Sequence, residues 1–258
     1  MLKRPLGNTG FQLGPIGFGA FKIGRNAKIK YPRPYELPSD AEVDSLLDGL
    51  IDLGIHHFDT APAYGISEQR IGKWLAKRDV PVVISTKVGE LFEDGDSRYV
   101  FDEASVRASV ANSLRLLKRD VLDMVLIHTP HDDMAVLKET PVVETLQSLK
   151  EAGDVRAIGL SGKTPEAAKL ALDWADLLMV EFNAEDQSHS AVIEEAARRD
   201  LGVLVKKGLA SGHLPADQAV SFVLNQSGVT SLVVGGLNLK HMADNLRIAE
   251  SALSQQST

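Results

Sequence analysis

IHHFDTAPAYGISEQRIGKWLAKRDVPVVISTKV (residues 55–88) contains one complete unit of the pattern that runs through the whole chain. A short apolar run, IHHFDT (55–60), leads into a helical stretch carrying Trp74, and a β-branched run, PVVISTKV (81–88), follows it. Continuous apolar runs suit parallel strands covered on an outer face, because both faces of such a strand are buried. Working outward, the same kind of run occurs upstream at PIGFGAF (15–21) and downstream at LDMVLIH (122–128), VRAIGLS (155–161), LLMVEFN (177–183), GVLVKKG (202–208) and TSLVVGG (230–236). Helical patterns with readable ends lie between them. Ser39-Asp40-Ala41-Glu42 fits a capping box for a helix ending at Gly54. Thr140-Pro141 and Thr164-Pro165 each pair an N-cap with proline at the first helical position, and Gly153 closes one of those helices. Eight strands and eight helices in strict alternation predict a (β/α)8 TIM barrel occupying 1–258 as one domain. A short N-terminal β-hairpin, LKRPLGNTGFQL, is expected to precede it, with Gly7-Asn8 marking the turn. A doubly wound open sheet is the competing architecture.

Composition removes several classes of function. The 258 residues are 44% apolar, enough for a substantial core. A net charge of −7 argues against nucleic-acid binding driven by counterion release. With no cysteine, thiol nucleophiles, Cys-ligated zinc, iron–sulfur clusters and disulfides are excluded. The N-terminal stretch is broken by Gly, Asn and Pro and lacks the apolar core of a signal peptide. No window approaches the roughly 18 uninterrupted apolar residues of a membrane span. The expectation is a soluble cytoplasmic protein that binds no membrane.

Asp59, Tyr64, Lys87 and His128 carry the chemistry. Asp59 ends the second strand, Lys87 the third and His128 the fourth, and Tyr64 follows Asp59 by five residues. Neighbouring barrel strands would bring the four together at one mouth. A free tyrosine, with a pKa of about 10, is a poor acid at neutral pH. A nearby ammonium stabilises the phenolate, and a carboxylate holds the ammonium in place. Such a group protonates a carbonyl oxygen as hydride reaches its carbon. Two connections are rich in charge and would overhang the same mouth: 22–38, with Lys22, Arg25, Lys28, Lys30 and Arg33, and the mostly acidic 89–102. The basic loop suggests a lid over cofactor phosphates or an attractor for an anionic substrate.

The strings GFGAF, FDTAPAYGISEQRIGKWL, ISTKVG, SLRLLKRDVLDMVLIHTP, LKEAGDVRAIGLS, VEFN, GLASGHL and LKHMADNLR resemble the aldo-keto reductase family over residues 5 to 247. The family's Asp, Tyr, Lys and His fall on Asp59, Tyr64, Lys87 and His128. The resemblance implies NAD(P)H-dependent, reversible hydride transfer between a nicotinamide and a small-molecule aldehyde or ketone. Tyr64 is then the general acid, Lys87 lowers its pKa, Asp59 orients Lys87, and His128 donates a hydrogen bond to the carbonyl. Phe21 matches an aromatic position lining the family's substrate pocket. Phe92 is a second candidate wall, and Trp74 is read as core. The family binds its dinucleotide without a Rossmann fingerprint, and GLASGHL, including Gly208, Leu209, Ser211 and Gly212, corresponds to the loop over the pyrophosphate.

The cofactor positions depart from the family pattern. The usual Ser-Asn after the fifth strand is Ser161-Gly162, a common Gln on the sixth strand is Met179, and the aromatic ring that stacks on the nicotinamide is Lys206, with Lys207 beside it. His241 aligns with a base that often grips a 2′-phosphate, Lys240 and Arg247 lie near it, and the adenine-reading Asn245 is retained. Losing these contacts costs several kcal/mol, at about 1 kcal/mol per neutral hydrogen bond and about 1 kcal/mol for stacking. Lys206 and Lys207 offset this if they pair with phosphates. NADPH is the expected cofactor, with NADH the alternative.

A metal hydrolase built on His128, His131, Asp132 and Asp133 or on His56, His57 and Asp59 lacks any H-x-H or H-E-x-x-H spacing, and no metal is expected. A Schiff-base lyase using Lys87 is a second chemical rival. A non-enzymatic rival is a nucleotide-sensing partner protein with this barrel and weak or no turnover. A single barrel is self-sufficient, and a monomer is expected.

Overall fold

Side chains alternate across a strand, so a closed parallel sheet sorts its residues into an interior that must fill itself and an exterior that must be covered by helices. The computed structural model, which describes residues 2–29, 34–93 and 95–255, shows both layers. A hairpin of β1 (Arg4–Pro5) and β2 (Gln12–Leu13) comes first. The chain continues as β3 (Ile16–Gly19), α1 (Asp40–Asp52), β4 (His57–Asp59), α2 (Ser67–Leu75) and β5 (Val83–Val88). A second hairpin, β6 (Glu90–Glu93) and β7 (Asp96–Tyr99), precedes α3 (Glu103–Leu117) and β8 (Leu122–His128). The remainder is α4 (Asp133–Glu139), α5 (Val142–Glu151), β9 (Val155–Ser161), α6 (Pro165–Ala171), β10 (Leu177–Glu181), α7 (Ser190–Arg198), β11 (Gly202–Lys206), α8 (Ala216–Asn225), β12 (Ser231–Val234) and α9 (Leu239–Gln255). Strands β3, β4, β5, β8, β9, β10, β11 and β12 close in that order into a barrel, with β12 pairing parallel to β3. The open-sheet alternative is therefore wrong.

The two layers appear as two apolar clusters. Outward residues such as Phe18, Phe58, Val125, Ile158, Val180 and Val205 pack under the helices. Inward residues Met124, Leu126, Ala157, Leu177, Met179 and Leu204 meet Leu6 and Leu13 of the N-terminal hairpin, which plugs one end of the barrel. Following the inward face toward the C-terminal ends, every second residue leads from this apolar floor to Asp59, Lys87, His128, Ser161, Glu181 and Lys206. That polar ring marks the mouth where barrel sites are built.

Most helix ends read from sequence are present. Ser39 and Glu42 form the reciprocal capping box, and Thr164 accepts from the Ala167 N–H with Pro165 at the first turn. Gly54 and Gly153, at φ +83° and +87°, stand just past α1 and α5. Thr140 differs: it ends α4, and Pro141 rather than Thr140 occupies the cap position of α5. The eighth-strand count holds, but the crossover after β8 is split into α4 and α5, so helices and strands do not alternate one for one. Gly7-Asn8 belongs to a longer turn, a 3-10 segment over Gly7–Thr9 closed by Gly10. The centre of the acidic connection 89–102 is the β6–β7 hairpin.

Candidate active site

Strand register places the four residues. Gly19 pairs with Asp59, Asp59 with Ser85, Lys87 with Leu126, and His128 with Ser161. Lys87 and Asp59 are 1% and 3% exposed, and the Lys87 Nζ donates to Asp59 Oδ1 at 2.7 Å, to Oδ2 at 2.8 Å and to the Thr60 carbonyl at 2.9 Å. All three ammonium hydrogens are thus committed, which fixes the side chain and satisfies its donors in a buried site. The same Nζ lies 4.8 Å from the centre of the Tyr64 ring. Tyr64 is delivered by a 3-10 turn, Pro62–Tyr64, and its ring meets Phe21 edge-on at 5.2 Å and His128 at 6.3 Å between centroids.

Behind Asp59 a polar chain runs into the barrel. Ser85 Oγ donates to Asp59 Oδ1 at 2.7 Å, and His57 Nε2 lies 3.0 Å from Ser85 Oγ. Since Ser85 spends its one hydrogen on Asp59, His57 Nε2 is the donor to Ser85. Burial pushes His57 down to about 4, with Asp59 opposing and Lys87 reinforcing the shift, so the ring is neutral at physiological pH. Gly17 is required beside it: a Cβ there would stand 2.5 Å from His57 Nδ1.

His128 faces a partner from outside the barrel wall. Its Nδ1 lies 2.9 Å from Glu90 Oε2, close but bent away from a linear hydrogen bond, and both side chains are 12% exposed. Glu90 Oε1 accepts from Ser97 Oγ at 2.7 Å across the hairpin. Burial lowers His128 to about 4 against the pull of Glu90, with Lys87 and Lys163 adding to the lowering. For Glu90, burial opposes ionisation, but the contacts with His128 and Ser97 outweigh it and hold the carboxyl at about 2.

A cavity of ≈ 300 Å³ opens on these groups. Asp59, Tyr64, His128 and Phe21 line one side, and Ser161, Lys206, Lys207, Gly208, Leu209, Ser211 and Gly212 line the other. Phe92 is not on its wall: β6 carries the ring to Arg25, whose guanidinium lies 3.4 Å from the ring centre. Lys240, His241 and Asn245 are also outside the lining, on α9, where the Lys240 and His241 N–H groups cap onto the Asn238 side chain. Of the basic loop, Lys22 reaches the cavity, Arg25 is tied to the Ala63 and Ala27 carbonyls, and Lys28 pairs with Asp96. Lys30 and Arg33 lie outside the described residues.

The lysine pair splits in role. Lys206 Nζ donates to Ser161 Oγ at 2.9 Å and to the Gly162 carbonyl at 2.8 Å. Burial, then the charges of Lys163, Lys87 and Lys207, lower its pKa well below that of an ordinary lysine. Because Ser161 Oγ accepts from Lys206, its own hydrogen is left to donate elsewhere. Lys207, at φ +55°, also on the cavity wall, pairs with Glu181. Gly162 suits its place, since a Cβ would stand 3.2 Å from Asp133 Oδ2, the oxygen that accepts from the Lys163 and Thr164 N–H groups. Ala210 and Ser211, at φ +45° and +60°, join Gly212 in a left-handed turn whose backbone is held in sparsely populated conformations. Cations at Lys22 and Lys163, a Gly-rich turn and the Ser161 and Ser211 hydroxyls form a donor set that fits a phosphate-bearing nicotinamide cofactor. Glu90, Lys163 and Ser85 were missed by sequence reasoning. Only Ser85 carried a signal, two residues before Lys87 on the same strand face.

The Aldo/keto reductase family model matches residues 15–219. A crystal structure of an aldo-keto reductase from Pseudomonas aeruginosa is 42% identical, with a TM-score of 0.90, over 98% of this chain and 96% of that one. An uncharacterised oxidoreductase of Bacillus subtilis is 26% identical over 98% of this chain and 82% of its own length. The D-threo-aldose 1-dehydrogenase of a Pseudomonas species is 28% identical over 80% of this chain and 69% of its own.

Proposed function

The chain belongs to the aldo/keto reductase family, and on that premise we propose that it is an NAD(P)H-dependent carbonyl reductase in which Tyr64 is the general acid. It acts on a small aldehyde or ketone, reversibly. The observation that carries this reading is the buried Asp59–Lys87 pair set against the Tyr64 ring at the wall of the cavity.

When bound, the nicotinamide supplies or takes up the hydride. The chain's own residues manage the proton. Tyr64 releases its hydroxyl hydrogen to the carbonyl oxygen as that oxygen gains charge. Lys87 stabilises the phenolate left behind, held in place by its bonds to both Asp59 oxygens and the Thr60 carbonyl. Ser85 and His57 keep Asp59 in one orientation. Ser161 orients the carboxamide, Lys22, Lys163 and the turn at Gly208–Gly212 take the phosphates, and Lys240 and His241 are assigned to the 2′-phosphate end with Asn245 at the adenine. NADPH is accordingly the preferred cofactor.

Fluorescence titration with NADPH and NADH, followed by turnover with short aldehydes, tests the assignment. Tyr64→Phe is expected to lower kcat by about 10²–10⁴ while leaving cofactor affinity within about twofold, since the change removes one hydroxyl and no charge. Equal turnover in Tyr64→Phe would remove Tyr64 from the acid role. Tight cofactor binding without turnover in the wild type would favour a nucleotide-sensing protein instead.

A further inference from the structure

Among the described residues, Lys22, Lys163, Lys206 and Lys207 line the cavity against a single carboxylate, Asp59, and that carboxylate is bonded to Lys87. Lys207 is paired with Glu181. Lys206 differs, because its hydrogen bonds go to uncharged oxygens, Ser161 Oγ at 2.9 Å and the Gly162 carbonyl at 2.8 Å. The charged groups acting on it are Lys163 from the turn after β9, Lys87 from β5, Lys207 beside it and, opposing them, Glu181 from β10. His189, just before α7, is influenced by it in turn, and Lys22, from the turn after β3, shares the cavity with it. The other titratable groups on the wall are Asp59, Tyr64 and His128.

A nicotinamide that exchanges hydride with a carbonyl held at Tyr64 comes within about 3–3.5 Å of the carbonyl carbon. That brings its ring into this cavity, whose wall includes Ser161, Met179 and Lys206. The oxidised ring carries a positive charge and the reduced ring none, whereas the phosphates are the same in both. Cations that meet phosphates treat the two forms alike, and a charge beside the ring tells them apart. We propose that Lys206 makes the cavity discriminate between the oxidation states of its cofactor, disfavouring the cationic nicotinamide of NADP⁺ and accepting the neutral one of NADPH, so that spent cofactor is released in favour of fresh. The inference rests on the reductase reading. Burial and the neighbouring lysines already lower the pKa of Lys206, and an oxidised ring beside it lowers it further. NADP⁺ binding is therefore weakest at low pH, where Lys206 is charged, and strengthens as pH rises and the lysine gives up its proton. NADPH binding lacks this dependence, and taking the ratio of the two affinities cancels any titration of the phosphates.

Isothermal titration of the whole chain with NADPH and with NADP⁺ between about pH 6 and about pH 9, a range suited to a lowered lysine pKa, gives the ratio of the two dissociation constants. In the wild type NADP⁺ should bind more weakly than NADPH by at least roughly tenfold at the acid end, and the ratio should fall by about threefold or more toward the alkaline end. Lys206→Arg stays charged across the range and should hold the acid-end ratio throughout. Lys206→Met keeps an unbranched stem without the charge, and should lower the acid-end ratio by about tenfold and leave it flat. A pocket merely disturbed by the substitution weakens both forms together and leaves the ratio and its slope in place. A flat wild-type ratio, or the wild-type ratio and slope in Lys206→Met, overturns the proposal and leaves the reductase reading standing. Failure of the wild type to bind either form overturns both.

Discussion

Glu68 shows how a single buried carboxyl couples this core to pH. It sits on α2, 1% exposed, and accepts from Thr86 Oγ1 at 2.6 Å, next in sequence to Lys87. Burial raises its pKa above the ordinary 4.5, and the Thr86 and Ser113 bonds and the Lys87 charge offset this only in part. The folded chain then holds a proton that the unfolded chain gives up. The associated stability is complete below about pH 4.5 and is lost as pH rises through the folded value. Glu68→Gln keeps the acceptor for Thr86 and removes the ionisation. Its Tm is expected to exceed that of the wild type at pH 8 by about 2–4 °C for each kcal/mol relieved, with the gap closing near pH 4.5. A gap independent of pH would mean that Glu68 keeps its ordinary acidity. At the same scale, Lys206 illustrates a substitution with a defined structural consequence: where the family places a ring, this chain places a lysine whose Nζ bonds Ser161 Oγ and the Gly162 carbonyl.

Among the elements, the β6–β7 hairpin links the mouth to the basic loop. Glu90 ties its root to His128, Lys28 pairs with Asp96 near its tip, and Phe92 lies under the Arg25 guanidinium. Arg25 in turn donates to the Ala63 carbonyl, one residue before Tyr64. The hairpin rests on few apolar contacts, so its stability is local. Phe92→Ala is expected to speed amide hydrogen exchange across β6 and β7 by about tenfold, the equivalent of roughly 1.4 kcal/mol of cation–π attraction, while Tm moves by about 1 °C or less. Unchanged exchange would show that the Arg25 contact does not hold the hairpin. By contrast α1 is set by its own ends, through the Ser39 and Glu42 capping box and the turn at Gly54.

On the scale of the whole molecule, the barrel is a tube with an apolar floor and a charged mouth. Leu6, fully buried, comes from the N-terminal hairpin and packs where a Cβ on Gly202 would stand 2.5 Å from its Cδ1. Leu6→Ala opens a cavity in that floor and is expected to cost about 2–5 kcal/mol in urea unfolding. Turnover below the unfolding transition should be unchanged, because the plug and the mouth are at opposite ends of the strands. Parallel loss of stability and turnover would show that floor and mouth are coupled. The alternation of apolar runs and capped helices determined the barrel by itself, because each signal is local: a run that must be buried on both faces, a cap, a breaking glycine. The positions of Asp59, Tyr64, Lys87 and His128 were equally legible, since strand ends in a barrel converge. Only the tertiary structure decided their partners. Glu90 reached His128 because a hairpin folds back over the mouth, Lys206 met Ser161 by crossing the barrel from β11 to β9, and Phe92 left the cavity for Arg25. These contacts join residues 38 to 67 positions apart, as in Glu90–His128, Lys206–Ser161 and Phe92–Arg25. Their formation depends on how loops close in space, a property that no local pattern of residues encodes.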